Sequence, residues 1–348
     1  MQACFSIKIT STMAHPFPLK DIAQQAQVSL ATVDRVLNGR GGVRPGTVNA
    51  VDQAIAELER QRTSLRLTGQ RMTIDLVMDA PDRFTTATCA ALESQLPSMH
   101  PAVLRVRNHL NPESIAHTLM GIARKGADGI IVKAPDSPPV HDALQACHAA
   151  GIPVVTFVTD VHAPREAYVG MDNRAAGRTA AYLIEQWRPG GAVLMTLSSS
   201  AFLGEEEREI GFRAGLRAHG RVIVDLPQTQ GRDEVMVHVV RTALERHPEI
   251  TAVYSIGGGN KAICAAFADV QRTCEVFIAH DLDRDNRELL HDGTLSAVIY
   301  HDLAEDMRTA CEQILQAHGL LPKSLARPST IHVVTPWNVP DRATWQWT

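Results

Sequence analysis

The chain has 348 residues, of which 45% are hydrophobic and 5% aromatic, and its formal charge is −4. That length is too great for one small domain and suits a small unit joined to a larger one, or two large lobes. No apolar run reaches membrane-span length, the N-terminus lacks the apolar core of a secretory signal, and the six cysteines (Cys4, Cys89, Cys147, Cys264, Cys274, Cys311) form no CxxC pair, which argues against a spanning or exported protein and against a metal site, and for free thiols in a reducing cytoplasm.

Residues 1–12 read as a disordered tail or a mis-called start, with Met13 just ahead of the first helix signal. Leu19, Ile22, Ala23 and Ala26 then recur at helical spacing. Ser29 suits the cap of a second helix, because its hydroxyl can accept an orphan backbone N–H. Val33, Val36 and Leu37 give that helix an apolar face, and Asn38-Gly39 ends it. Beyond a Gly/Pro loop at 40–46, Thr47 caps a third helix with Val48, Val51, Ile55 and Leu58 on one side. Two short helices joined by a tight turn and braced by a third describe a helix-turn-helix domain, placed at residues 13–60.

The outward face of the second helix carries Leu30, Ala31, Asp34 and Arg35, with Arg40 and Arg44 flanking it. Small side chains in a first turn can sit deep in a major groove, and Arg35 can reach a guanine edge or a phosphate. From Met13 to Met72 there are eight Lys and Arg against five Asp and Glu, a net +3; with Lys8 set aside, this leaves −8 on residues 73–348. A basic head on an acidic body points to a polyanion partner.

The stretch LKDIAQQAQVSLATVDRVLNG (19–39) resembles the DNA-binding headpiece of the lactose-repressor (LacI) family, with its Leu-Lys-Asp-Ile-Ala, Val-Ser-x-Ala-Thr-Val and Arg-Val-Leu-Asn pattern. The resemblance implies that Leu30, Ala31 and Arg35 read bases and that Ser29 and Thr32 hold phosphates, with Asn38 and Arg44 completing the contacting set. Asp34 stands where the family usually has Ser, and a carboxylate there repels phosphate unless it accepts from a cytosine amino group or pairs with a neighbouring Arg. The family's Tyr-x-Pro-Asn hinge is missing. Residues 61–72 are instead polar and Arg-rich, with Leu65 and Leu67 as apolar anchors. That segment reads equally as a solvated linker and as a basic hinge that wedges one of those leucines into a minor groove.

From Thr73 short apolar runs alternate with amphipathic segments. Strands are expected at 74–78, 103–106, 130–133, 153–158, 193–197, 222–226, 252–256, 276–279 and 297–300. Helices are expected at 113–125, 173–187, 205–218, 233–247 and 304–318, among others. Such alternation implies an α/β body of parallel sheets covered on both faces, with ligands beyond the carboxyl ends of the strands. The strand ends carry Asp82, Arg83 and Phe84, then Lys133 and Asp136, then Asp160, Asn260, Asp281 and His301, and Arg208 opens a helix. Asp, Asn and Arg can bond vicinal hydroxyls in planar pairs, and Phe84 can stack on a sugar ring.

YVGMDNRAAGRTAAYLI (168–184) and HDLDRDNRELLHDGTLSAVIYHDLAEDM (280–307) are similar to signatures of LacI-family effector domains and their periplasmic sugar-binding relatives. The implied fold is a two-lobed, periplasmic-binding-protein-like domain over 73–348, with lobes at 73–188 plus 303–324 and 189–302 plus 325–340. The implied effector set is Phe84, Lys133, Asp160, Arg208, Asn260, Asp281 and His301. Gly257-Gly258-Gly259-Asn260 replaces the usual Asn-Asp, and His301 stands where Gln is common. The whole reads as a cytoplasmic, repressing regulator without a cofactor. It would bind a palindromic double-stranded DNA operator as a homodimer and respond to a sugar, polyol, sugar acid or sugar phosphate. Two rival readings remain. An enzyme is disfavoured because no phosphate-binding motif opens a helix and no nucleophile–base set is present. A solute-binding protein fits the body but not the headpiece.

Overall fold

The computed structural model describes residues 17–67, 70–217, 220–229 and 233–340, without side chains for 60–67. The tail expected at residues 1–12 and the groove wedge expected at Leu65 or Leu67 lie outside what is described. The chain divides into two compact units, residues 1–70 and 71–348.

In the first unit α1 (Leu19–Gln25) and α2 (Leu30–Leu37) are followed by α3 (Pro45–Leu67), so Thr47, expected as the cap of the third helix, lies within its first turn. Phe17, Ile22, Ala23, Val33 and Val51 close its small core. Ser29 caps α2, its Oγ accepting the Thr32 N–H at 3.2 Å, which satisfies one of the orphan donors of the first turn. The turn between α1 and α2 bends through Gln27 at φ +53°. Helix α3 continues to Leu67 and the next element opens at Arg71, so the first part of the 61–72 segment is helical.

The second unit opens with β1 (Arg71–Met78), α4 (Asp82–Gln95), β2 (Val103–Leu110), α5 (Ile115–Lys125), β3 (Gly129–Lys133), α6 (Pro138–Ala149), β4 (Val154–Phe157) and β5 (Ala167–Val169). These strands form a parallel sheet in the order β2-β1-β3-β4-β5. Then follow α7 (Asn173–Trp187), β6 (Ala192–Thr196), α8 (Leu203–Leu216), β7 (Ile223–Asp225), α9 (Asp233–Arg246), β8 (Ile250–Ser255), α10 (Asn260–Asp269), β9 (Val276–His280), α11 (Arg284–His291) and β10 (Ala297–Tyr300). With β11 (His332–Val334) they build a second sheet, β11-β10-β9-β8-β6-β7, in which only β11 runs antiparallel. Between β10 and β11 the chain returns to the first lobe as α12 (Leu303–Ala317), which packs on α4 and on β4 and β5.

Helix α7 buries Ala176, Ala180, Ala181 and Ile184 against Val193, Phe212, Tyr254 and Ile278. It therefore covers the second sheet, and the chain changes lobes between β5 and α7, earlier than the boundary drawn at 188 from the sequence. The crossovers are tied together. Ser329 N–H donates to the Gly170 carbonyl at 2.9 Å, and Ser329 Oγ donates to Asp306 Oδ1 at 2.6 Å. The other oxygen of Asp306 lies 2.5 Å from His301 Nδ1.

Two glycines set the spacing of α7 and α8. A Cβ on Gly177 would lie 2.0 Å from the Arg208 carbonyl oxygen, and one on Gly211 would lie 2.1 Å from that of Arg174. Backbone at that distance cannot yield as a side-chain tip can. Gly177→Ala is expected to cost about 1–3 kcal/mol of stability through forced separation of the helices, checked by urea unfolding; an unchanged midpoint would show that α7 and α8 are not in backbone contact.

Candidate functional site

In the first unit Ser29, Leu30, Ala31, Arg35, Asn38 and Arg44 are exposed, and Thr32 and Asp34 are half-buried. Leu30 is 52% exposed although large and apolar, which leaves it free for a partner at the start of α2. Asp34 is neutralised from within. Arg40 Nη1 lies 2.9 Å from one carboxylate oxygen and Asn38 Nδ2 donates to the other at 2.7 Å. The acid at the family's usual Ser position thus pairs with a neighbouring Arg, and Asn38 is committed in part to holding it.

The second unit contains a cavity of about 540 Å³ between the lobes. Phe84, Lys133, Arg208 and Asp281, four of the effector residues expected from the sequence, line it. Phe84 sits in the first turn of α4, stacked on Phe157 with centroids 6.3 Å apart. Lys133 ends β3, donates to the Asp79 carbonyl at 2.9 Å and lies 4.0 Å from the centre of the Phe202 ring. Desolvation lowers its pKa, opposed by Glu205, Asp79 and Asp281. Arg208 is 4% exposed; its Nε donates to Asn173 Oδ1 at 2.8 Å and its Nη1 reaches the Ile256 carbonyl at 3.4 Å.

The other three lie elsewhere. Asp160 accepts from Thr156 Oγ1 at 2.7 Å and from the Val161 N–H at 2.9 Å, and pairs with Arg165 at 2.5 Å, so it braces its own loop. Asn260 caps nothing in the cavity. Its Nδ2 donates to Asn286 Oδ1 at 2.6 Å, and Asn286 in turn donates to the carbonyls of His280 and Asp281. That pair holds Asp281 at φ +65°, a conformation costly for a residue with a Cβ and kept only where its surroundings enforce it. His301 lies behind the cavity wall, bonded to Asp306, with Nε2 3.9 Å from Asp281 Oδ1.

The effector set expected from the sequence left out Arg83, Glu205, His280 and Asp283, all of which line the cavity. Arg83 Nε pairs with Asp283 Oδ2 at 2.8 Å across the lobes. Burial pushes the Asp283 carboxyl up, opposed by the Asn286 N–H and by Arg83. Glu205 accepts from the backbone N–H groups of Ser198 and Ser199 and from Ser198 Oγ, so it shapes the β6–α8 loop. Among the described residues, buried polar atoms without a protein partner include Arg208 Nη2, His280 Nδ1 and Asp281 Oδ1. All three belong to residues that wall the cavity.

The first lobe also meets the second through the Asp136 N–H, which donates to the Ala201 carbonyl at 2.7 Å. The Asp136 carboxylate is held by His141 Nε2 at 2.5 Å and His162 Nδ1 at 2.7 Å.

The comparisons with known proteins agree with this arrangement in both units. Residues 18–61 match the bacterial regulatory proteins, lacI family, and residues 114–319 match the periplasmic binding protein domain. The chain joins a LacI-family DNA-binding domain to a periplasmic binding protein domain. It is a DNA-binding transcriptional regulator. It is 29% identical over 257 residues to the maltose regulon regulatory protein MalI of Escherichia coli (strain K12), covering 69% of this chain and 71% of that one. To the ribose operon repressor of Halalkalibacterium halodurans it is 26% identical over 243 residues, 68% and 70% of the two chains. Among solved structures, GanP, a glucose-galactose binding protein from Geobacillus stearothermophilus, shares the fold, with a TM-score of 0.70 at 19% identity over 78% of this chain and 99% of that one. Among the described residues no helix is long and apolar enough to cross a membrane.

The Asp136 cluster carries a pH prediction. Burial alone would push the Asp136 carboxyl up, but hydrogen bonds from His162 and His141 more than offset it and hold it at about 2. The hydrogen bond to Asp136 raises His162. The carboxylate's stabilisation is present above its ordinary 3.8 and is lost as the pH falls towards about 2. That of His162 is complete below the ordinary 6.5 and is lost as the pH rises through the higher folded value. In an NMR titration His162 is expected to titrate above 6.5 and to fall back towards it in Asp136→Asn; no difference between the two proteins would break the assignment.

Proposed function

We propose that this regulator is a cytoplasmic repressor that binds a palindromic operator as a homodimer, and that a neutral sugar or polyol held between the lobes controls its operator affinity. The observation that carries the effector class is that three residues lining the cavity hold buried polar atoms with no hydrogen-bond partner among the described residues. Arg208 Nη2 is a donor, Asp281 Oδ1 an acceptor, and His280 Nδ1 the third. Leaving such groups buried and unpaired costs about 1–3 kcal/mol each, and hydroxyls, which both donate and accept, match them. Phe84 supplies an apolar surface for a ring. The printed names of relatives, a maltose regulon regulator and a ribose operon repressor, favour the same class.

A sugar acid or phosphate would need free cations. Of Lys133, Arg208 and His301, only the first two line the cavity, and His301 is bonded to Asp306. Four carboxylates, those of Asp79, Glu205, Asp281 and Asp283, share the wall with Arg83, Lys133 and Arg208. Arg83 is already paired with Asp283 and Lys133 lies in the field of Glu205, Asp79 and Asp281, so an added anion meets carboxylates as well as cations and gains little for its desolvation.

Operator reading falls to the exposed start of α2 (Leu30, Ala31 and Arg35), with Ser29, Thr32, Asn38 and Arg44 around it. A single headpiece buries too little surface for specific affinity, which is the reason for pairing two of them on a palindrome. Closure of the lobes on the effector would change the geometry of that pair.

Two predictions test the reading with DNA enriched from a random pool by the full-length protein. Arg35→Ala should weaken binding to that DNA by roughly 5- to 150-fold, the equivalent of about 1–3 kcal/mol for a bidentate base contact, and should relax sequence preference at one position per half-site. Arg208→Ala should bind the same DNA as wild type in fluorescence anisotropy but lose its response to D-ribose, D-glucose, D-galactose and maltose. Unchanged DNA affinity in the first variant would remove Arg35 from the interface. A retained sugar response in the second would remove Arg208 from the effector site.

A further inference from the structure

His280 ends β9 at the cavity wall and is 4% exposed. Its register explains its neighbour. Tyr254 on β8 pairs with Ile278 on β9, and His280, two residues further, projects from the same face of the sheet. The Tyr254 hydroxyl and His280 Nε2 are 2.8 Å apart. Tyr254 is fully buried, and it is stacked on Phe212 with centroids 4.3 Å apart. Phe212 lies one turn beyond Arg208 on α8. The two residues share a helix face, one backing the tyrosine and the other walling the cavity.

Hydrogen-bond accounting then chooses the proton position. Among the described partners the Tyr254 hydroxyl meets only His280 Nε2. If the ring donated to the hydroxyl, the hydroxyl's own proton would be buried with nothing to accept it. If the hydroxyl donates, that proton is satisfied and Nε2 uses its lone pair. The only group then left over is the proton on Nδ1. Either way one donor is left over, the hydroxyl proton in the first arrangement and Nδ1–H in the second; His280 lines the cavity and Tyr254 does not, so only in the second does that donor lie on a residue a guest can meet, and the second arrangement wins. A charged ring is disfavoured as well: burial pushes the pKa of His280 well down, and Arg208 and His301 push it the same way.

We propose that His280 is a specificity-determining residue of the effector cavity, held by Tyr254 as the neutral tautomer that presents Nδ1–H. It then joins Arg208 as a donor beside the acceptor Asp281. The ligand group that meets His280 is accordingly an oxygen acceptor (a hydroxyl, a ring oxygen or a carboxylate oxygen) and never an ammonium. Tyr254 is a positioning residue, acting through the ring without touching the ligand. The part of this that concerns the ligand rests on the effector reading above; the tautomer does not.

The test uses the full chain labelled with ¹⁵N in the histidine rings and read by long-range ¹H–¹⁵N correlation at neutral pH without ligand. His280→Asn identifies the His280 signals by their disappearance. The expected pattern is a protonated Nδ1 with a bare Nε2, and in Tyr254→Phe a shift of the population towards a protonated Nε2. A bare Nδ1 or a doubly protonated ring in wild type would overturn the proposal, and an unchanged ring in Tyr254→Phe would remove the lock. Adding D-ribose, D-glucose, D-galactose or D-glucosamine separates the two readings. Movement of the Nδ1–H signal with a neutral sugar supports the contact, and movement with glucosamine alone overturns the oxygen-acceptor assignment. No movement with any of them, the tautomer being as expected, counts against the sugar reading and against His280 as a contact while leaving the lock standing.

Discussion

A guanidinium buried where two lobes meet constrains the rest of the second unit. Arg208 is 4% exposed, and removing such a charge from water is costly unless its donors are occupied. Asn173, at the start of α7, takes one donor, and the Ile256 carbonyl takes another. The first depends on α7 and α8 lying at backbone contact, which Gly177 and Gly211 allow. The third position, Nη2, has no protein partner. The fold therefore places a charged residue in the cavity wall with one donor that no described protein group takes. The cross-lobe pair of Arg83 with Asp283 and the contact of Lys133 with Phe202 hold the walls together around it.

Much of this was legible in the sequence, and the gaps have physical reasons. The headpiece was read nearly residue by residue because its signals are local: the Ser29 cap, the apolar face of Val33, and Gly39 at φ +62° after α2. Long buried strands and amphipathic helices were also clear, and α7 and β10 fall where periodicity put them. Strands β5 and β11, of three residues each, were not expected, whereas the equally short β7 was, because it lies inside the mostly apolar run 222–226. The lobe boundary was misplaced because α7 follows a strand of the first sheet in sequence while its alanine face fits the second.

The cavity was half legible. Phe84, Lys133, Arg208 and Asp281 come together as strand-end logic implies. Asp160, Asn260 and His301 satisfy the same logic in sequence but are taken by partners nearby: Arg165 five residues on, Asn286, and Asp306. Strand-end position cannot distinguish an acid that faces a ligand from one that braces its loop. His280 fell just past the strand expected at 276–279 and outside the effector set, because its meaning lies in the Tyr254 hydroxyl on the neighbouring strand. Arg83 was noticed beside Phe84, but its partner Asp283 lies 200 residues away. Asp34, the departure in the headpiece, is explained by Arg40 and Asn38 at its carboxylate.

The central claim is that the cavity holds a neutral polyhydroxylated ligand, and calorimetric titration of the full-length protein tests it most directly. D-ribose, D-glucose, D-galactose and maltose would be compared with D-glucuronate and ribose 5-phosphate. The account predicts stoichiometric binding of at least one neutral sugar, lost in Asp281→Ala, with the anionic sugars weaker. Binding of the anionic sugars alone would contradict it, because the four carboxylates of the wall should disfavour an added anion.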